Sequence, residues 1–433
     1  MNFEDQGLTK TRSSYYTISD FNSKFKGNYC HGTHRRDTIQ TDLNPINNFS
    51  LFHWNARSLN KNFESLELLF SSLNQFPFSA IGISETWLRH NSPNLFNIDN
   101  YKLFRSDRKK GRGGGVALYI SNQFRVKVRT DIHVEGCEDL FVEIIDDKIK
   151  NKIIGIIYRP PNNIADEFLQ KLDESINIIT KENKEVYIMG DYNIDMTKSD
   201  TLALKLQNTL MSYAFNSHIN NPTRISNTSR TLLDNIFSNT LDFDKFTNGV
   251  LYYDTSDHLP IFAISQLSDT LNNTKRPQPK LYRKETDDNI ALLNQDLAQE
   301  DWSDVFAESD TDRAYNIFLS KLVFYYNKNI PLVKKKSRKK KKHPWITKGI
   351  MHSIKQRNKL YKIAITTQNT IDLNNYKKYR NQLNSLIRLS RKMYYSQQCE
   401  NNKDNPNGLW ETIKDLTGKN NKDSTFVFHH NNE

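Results

Sequence analysis

Val186-Tyr-Ile-Met-Gly-Asp-Tyr-Asn-Ile-Asp195 is an apolar run that breaks abruptly into a glycine and two short polar side chains. Val186 to Met189 reads as a buried strand, and Gly190 at its carboxyl end lets the backbone turn where a Cβ would obstruct it. Asp191 and Asn193 then project from the strand's rim, the place where open sheets flanked by helices commonly bind ligands. Asp and Asn also favour plain turns, because they bond their own backbone. The neighbouring strand ends therefore decide between a turn and a site.

Four further strand ends carry polar groups. Asn55 follows Phe52-His53-Trp54, Glu85 follows Ile81-Gly82-Ile83-Ser84, Tyr158 precedes Arg159-Pro160-Pro161, and Ser256-Asp257-His258 precedes a last strand. Asp234 lies inside Leu232-Leu-Asp-Asn-Ile236, where a carboxylate among aliphatic neighbours is costly unless it is paired. Singly, each has an ordinary structural explanation. Together they are the set that hydrolysis of a phosphodiester needs. A hard divalent cation wants carboxylate and amide oxygens, and Glu85, Asn55 and Asp257 supply them. The ion polarises the phosphate while a water is oriented opposite the leaving oxygen. Asp191 is the candidate base, and Asn193 would hold the water or the phosphate. His258 would donate to a non-bridging oxygen, with Asp234 fixing its tautomer and favouring its charged form. Tyr158 is left as a phosphate or leaving-group contact.

The chain has 433 residues, enough for two or three domains, and its net charge of +12 points to a polyanionic partner. Cys30, Cys137 and Cys399 form no C-x-x-C pair, so neither a disulfide framework nor a thiolate zinc site is expected. No stretch is apolar for long enough to cross a bilayer, and the amino terminus is too polar for a secretory signal. The expectation is a nuclear protein, or one cytoplasmic in transit, that is neither secreted nor held in a membrane.

Residues 1–47 show no steady period and are expected to be mostly disordered or loosely packed. Residues 48–267 alternate short strands with amphipathic helices, notably Ile164 to Thr180 and Thr201 to Tyr213, which predicts a two-sheet α/β sandwich. Residues 268–333 read as a linker followed by helices. The run over 334–343 contains Lys334, Lys335, Lys336, Arg338, Lys339, Lys340, Lys341 and Lys342, read as a nucleic-acid-binding or nuclear-import segment. Residues 344–418 form a basic helical hairpin, Ile346 to Ile365 and Leu373 to Tyr395, whose tyrosines read more readily as a packed seam than as base-stacking groups. Residues 419–433 are a disordered tail.

In this order, Trp54-Asn55, Ser84-Glu85-Thr86, Tyr158-Arg-Pro-Pro161, Gly190-Asp-Tyr-Asn193, Leu233-Asp-Asn235 and Ser256-Asp-His258 resemble the endonuclease/exonuclease/phosphatase superfamily. Ser84-Glu-Thr-Trp-Leu88, Arg112-Gly-Gly-Gly-Val-Ala117, Pro222-Thr-Arg224 and Pro344-Trp-Ile-Thr-Lys348 bring the resemblance nearest to the endonuclease domain of non-LTR (LINE-type) retrotransposon polyproteins. The resemblance implies a four-layer α/β sandwich, two packed mixed sheets flanked by helices, followed here by the basic, mostly helical region. It further implies dependence on Mg²⁺ or Mn²⁺ and nicking of double-stranded target DNA to expose a 3′-hydroxyl. Thr223 and Ser256 would then be hydrogen-bonding supports beside the phosphate. Arg57, placed with the substrate contacts, stands where abasic-site nucleases carry an acidic or amide residue, which disfavours abasic-site repair. No Tyr-x-Asp-Asp signature appears, so a truncation before the reverse transcriptase is expected. The Gly111-Arg-Gly-Gly-Gly115 loop lacks the Lys and Ser/Thr of a P-loop and reads as a hairpin at the DNA-facing edge. Competing readings are a non-catalytic nucleic-acid-binding protein on a nuclease scaffold and a phosphatase or phosphodiesterase of the same fold. RNA contact through the basic C-terminal region and the oligomeric state stay open.

Overall fold

A computed structural model describes residues 13–25, 49–92, 96–109, 111–145, 151–226, 228–265, 281–283, 285–334, 343–417 and 425–428. Lys335, Lys336, Arg338, Lys339, Lys340, Lys341 and Lys342 lie outside them, as do residues 268–280 and most of 419–433. The chain folds as two units, one of residues 1–268 with 344–433 and one of residues 269–343.

Elements are numbered along the chain. In the larger unit an eight-stranded sheet runs β1 (Ser14–Tyr16), β14 (Phe246–Leu251), β15 (Ile261–Ser265), β2 (Ser50–Asn55), β3 (Ala80–Ser84), β5 (Val116–Ser121), β4 (Tyr101–Ser106) and β18 (Thr425–Phe428). A six-stranded sheet runs β10 (Asn216–Ser217), β13 (Asp234–Ser238), β9 (Glu185–Asp191), β8 (Lys152–Tyr158), β7 (Glu138–Ile145) and β6 (Arg125–Val128). Both are mixed: β2 pairs parallel with β3 and β8 with β9, whereas β13 pairs antiparallel with β9. A short hairpin of β11 (Arg224–Ile225) and β12 (Arg230–Thr231) stands beside them.

Alternation along the strands builds the layers. Phe52 and Trp54 of β2 face outward onto α1 (Ile18–Lys24) and α2 (Leu59–Ser72), while Leu51 on the other face meets Ile154, Ile156, Tyr187 and Met189 of the second sheet. The far face of that second sheet packs Ile153, Ile157, Val186 and Ile188 against α3 (Ala165–Thr180) and α4 (Thr201–Ser212). The result is a four-layer α/β sandwich of helices, sheet, sheet and helices. Burying a Leu, Ile or Phe in these layers contributes about 1.5–3 kcal/mol each.

Two segments read differently from sequence: Thr425–Phe428, in the tail expected to be disordered, forms β18 parallel to β4, and the other lies near the amino terminus. Within residues 1–47, Ser14–Tyr16 forms a parallel strand against β14, and Phe21 and Phe25 set their rings on Phe262 and Phe76. Thr17 closes α1 with a capping box to Asp20. The apolar residues are too sparse for a local period, so pairing partners more than two hundred positions away order this piece.

The hairpin of α8 (Lys348–Thr367) and α9 (Thr370–Asn401), followed by α10 (Pro406–Thr417), packs onto the sandwich. Trp345, Ile350, Ile354, Leu383 and Tyr395 join the core outside the first sheet, and Tyr361 and Tyr376 are buried as a seam 5.1 Å apart. The smaller unit pairs β16 (Leu281–Arg283) with β17 (Leu332–Lys334) and carries α5 (Asp287–Gln299), α6 (Ser303–Ala307) and α7 (Thr311–Asn329). Asp310 caps α7, and Trp302 packs on Phe318. No described helix is long and apolar enough to cross a membrane.

Candidate active site

The register of the two sheets sets the site. β2 and β3 end together, Asn55 opposite Ser84, and in the second sheet Asp191 lies opposite both Tyr158 and Asp234. Gly190 is required there: a Cβ at this position would stand 2.0 Å from the Ile157 carbonyl oxygen. Glu85 and Asn193, one and two residues past their strands, hold φ of 51° and 46°, the left-handed region that turns a side chain back over a sheet edge.

A continuous hydrogen-bonded path joins these ends. The Asn55 amide donates to Glu85 Oε1 at 2.9 Å and to Asp191 Oδ2 at 2.7 Å. Asp191 also accepts from the Asn193 backbone at 3.0 Å, while the Asn193 side chain donates to the Arg159 carbonyl at 2.7 Å. His258 Nδ1 lies 2.7 Å from Asp234 Oδ2 and 4.0 Å from Asp191 Oδ2. Glu85 and His258, 173 positions apart in sequence, are therefore brought to one rim through Asn55 and Asp191. Asn55, Asp191 and Asp234 are fully buried and His258 nearly so.

The charges follow from that burial. Burial raises the Asp191 carboxyl well above the usual range, with the Asp234 charge adding to it and His258 opposing. Burial alone would depress the His258 imidazole, yet Asp234 and Asp191 lift it to about 9. Burial likewise works to raise Asp234, but the His258 charge and hydrogen bond hold it below its ordinary value. His53, fully buried with Nδ1 3.9 Å from Asp234, is pushed down to about 4 by burial and stays neutral. The Tyr158 phenol is raised by burial and then by Glu85 and Asp191.

Asp257 sits differently from its neighbours. Its Oδ2 takes Arg57 at 2.6 Å and Arg224 at 3.1 Å, and its Oδ1 is buried without a hydrogen-bond partner among the described residues. That bare oxygen fits the hard-oxygen preference of a divalent cation. Asp191, Asp234 and His258 also gather their ligand atoms within 4.8 Å. An imidazole held in its charged form is a donor, however, and does not ligate.

Thr223 and Ser256 bond within the protein, next to Asp234 and Asn55. The Thr223 hydroxyl donates to Asp234 at 2.6 Å and accepts from the backbones of Leu233 and Asp234. Ser256 donates to the Asn55 carbonyl at 2.8 Å and accepts from the Trp54 indole and the His258 backbone. Both hydroxyls are filled by the protein and tie the site's segments to one another. Arg57 places its half-exposed guanidinium on Asp257. Sequence reading missed Trp87, whose indole donates to Glu85 Oε2 at 2.9 Å, and Arg224, which shares Asp257. The signal for Trp87 was its place in Ser84-Glu-Thr-Trp-Leu88. Arg224 had none.

A four-layer sandwich whose paired sheets bring carboxylates, amides and a charged imidazole to one rim defines a phosphoester-hydrolase type of site. Residues 52–258 match the Endonuclease/Exonuclease/phosphatase family. Similar solved structures include the endonuclease domain of TRAS1, a telomere-specific non-LTR retrotransposon, at 14% identity and a TM-score of 0.42 over 51% of this chain and 100% of that one. The AP endonuclease LMAP from Leishmania major matches at 13% and 0.46 over 54% and 92%. An AP endonuclease from Archaeoglobus fulgidus matches at 14% and 0.41 over 50% and 99%. No curated protein sequence matches the chain.

Proposed function

We propose that this protein is a divalent-metal-dependent DNA endonuclease that nicks one strand of a duplex, as the motif resemblance to non-LTR retrotransposon endonucleases implies, and that it works in the nucleus. The observation that carries the reading is the hydrogen-bonded path Glu85, Asn55, Asp191 with the His258–Asp234 pair closing on it.

Glu85 and the bare Oδ1 of Asp257 would hold Mg²⁺ or Mn²⁺, with the Asn55 amide oxygen close by. When bound, the ion polarises the phosphate and offsets charge developing in the transition state. Asp191, buried and raised, accepts the proton of the attacking water, and Asn55 and Asn193 fix the carboxylate's direction. The water oxygen bonds to phosphorus, the bond from phosphorus to the 3′-oxygen breaks, and the leaving oxygen takes up a proton to become a 3′-hydroxyl. His258 donates from the ring edge that Asp234 does not occupy to a non-bridging oxygen, and Tyr158 contacts the phosphate or the leaving oxygen.

Supercoiled plasmid incubated with protein in Mg²⁺, in EDTA, and with Asp191→Ala or His258→Ala tests this. Nicking that needs the metal and both side chains supports the reading. Binding without nicking favours a non-catalytic nucleic-acid-binding protein, and turnover of small phosphate esters alone favours a phosphatase.

A further inference from the structure

Helix α8 carries Lys348, His352, Lys355, Lys359 and Lys362, spaced by four, three, four and three residues, and no acidic residue. This spacing puts all five on one stripe of the helix, and all are exposed. The opposite face is buried through Ile350, Ile354, Tyr361, Ala364 and Ile365. Lys355 and Lys359 make no ion pair with any described residue. The stripe is thus a straight row of four lysines and a histidine, about one residue per turn and about 21 Å long.

The row is fixed relative to the site. Lys362 lies 5.6 Å from the Tyr252 ring, and Arg357 lies 5.0 Å from Tyr253. The Tyr376 hydroxyl bonds Asp254, and Arg230 donates to the Ile365 carbonyl at 3.2 Å. Tyr252 to Asp254 lead directly into Ser256-Asp257-His258. One end of the row therefore abuts the segment that carries His258.

We propose that the α8 row of Lys348, His352, Lys355, Lys359 and Lys362 is a docking track for the phosphate backbone of duplex DNA flanking the scissile bond. The inference rests on the nuclease reading and adds where the substrate lies. A regular line of single charges matches the regular line of phosphates on a nucleic-acid strand. A lipid surface fits poorly, because membrane-lying helices turn an apolar face to the bilayer and that of α8 is spent on the sandwich. Anchoring by packed side chains makes the track a rigid extension of the site and separates it from a mobile basic tail.

The test is binding in EDTA, followed by fluorescence anisotropy, with a short duplex of about 12 base pairs and a long one of about 40, each read across a salt series. The double variant K355Q/K359Q alters only exposed side chains. Expected is an affinity loss of at least about tenfold on the long duplex, with the salt dependence shallower by about two in log–log slope. The short duplex leaves less DNA lying along the row, so its loss should be smaller, and metal-activated nicking of it at saturating protein should be unchanged. Equal affinity and slope on the long duplex overturn the track, and so does a lysine-dependent loss seen only with single-stranded RNA. Because binding is read without metal, a wild-type protein that nicks nothing refutes the nuclease reading and leaves the binding result to judge the track alone.

Discussion

Asp234→Asn is the most informative single change, because it preserves shape and removes one charge from the centre of the site. Asp234 is fully buried, accepts from Thr223 at 2.6 Å and holds His258 at 2.7 Å. With His258 raised to about 9, roughly 97% of it is charged near pH 7.5, whereas an ordinary imidazole would be about 9% charged. Loss of the charged donor alone costs about tenfold in rate. Loss of the fixed tautomer adds to it, and equivalent Asp-to-Asn changes beside a working histidine reach about 10⁴-fold. The expected fall in kcat is therefore about 10²- to 10⁴-fold, with KM little changed. Stability shifts too. A raised histidine stabilises the fold fully below its ordinary value near 6.5, and that contribution is lost as pH rises through about 9; in the variant this alkaline loss should flatten. Single-turnover nicking across pH and NMR titration of the imidazole read both effects. A variant that nicks at the wild-type rate with its imidazole still titrating near 9 would refute the coupling.

Other consequences follow from the same geometry. Gly190→Ala forces a Cβ against the Ile157 carbonyl, so denaturant unfolding should show a loss of about 2 kcal/mol or more and nicking should fall with it. Arg129, buried among Glu143, Asp131 and Glu182 beside α3, is remote from the chemistry; Arg129→Ala should cost about 1–3 kcal/mol by removing one of the two cations paired with the buried Glu143, Lys184 being the other, with kcat of the folded protein unchanged. Arg129 and Lys184 hold those three carboxylates below their ordinary values. Their stabilisation is present above the ordinary carboxylate range and is lost as pH falls through the lowered values, which acid denaturation of wild type against Arg129→Ala would reveal. Chelation with EDTA should abolish nicking, and added Mg²⁺ or Mn²⁺ should restore it; nicking that persists in EDTA would remove the metal from the reaction.

The fold was legible because its signals are local. Strands such as Val186 to Met189 and helices such as Ile164 to Thr180 announce themselves by period, and Asn55, Glu85, Asp191 and His258 all stand where an apolar run breaks. What was illegible depends on pairing across the chain. Thr223 and Ser256 look like surface hydroxyls until register shows each bonded on several sides. Arg57 and Arg224 share Asp257 across separations of 200 and 33 residues, which no window of sequence contains. Ser14–Lys24 lacked a pattern because Phe262, Phe76 and Phe78 supply the other half of its packing.

The strand and helix of Ser14–Lys24 also bear on how the protein can be handled. An expression clone trimmed to the family match at 52–258 would strip α1, α8 and α9 from the first sheet and delete β1 and β15. Phe52, Trp54 and Phe78 would then meet water, and β14 would lose both neighbours. Such a fragment would clump on purification for want of its covering layers, and silence from it in a cleavage assay would say nothing about the 433-residue chain.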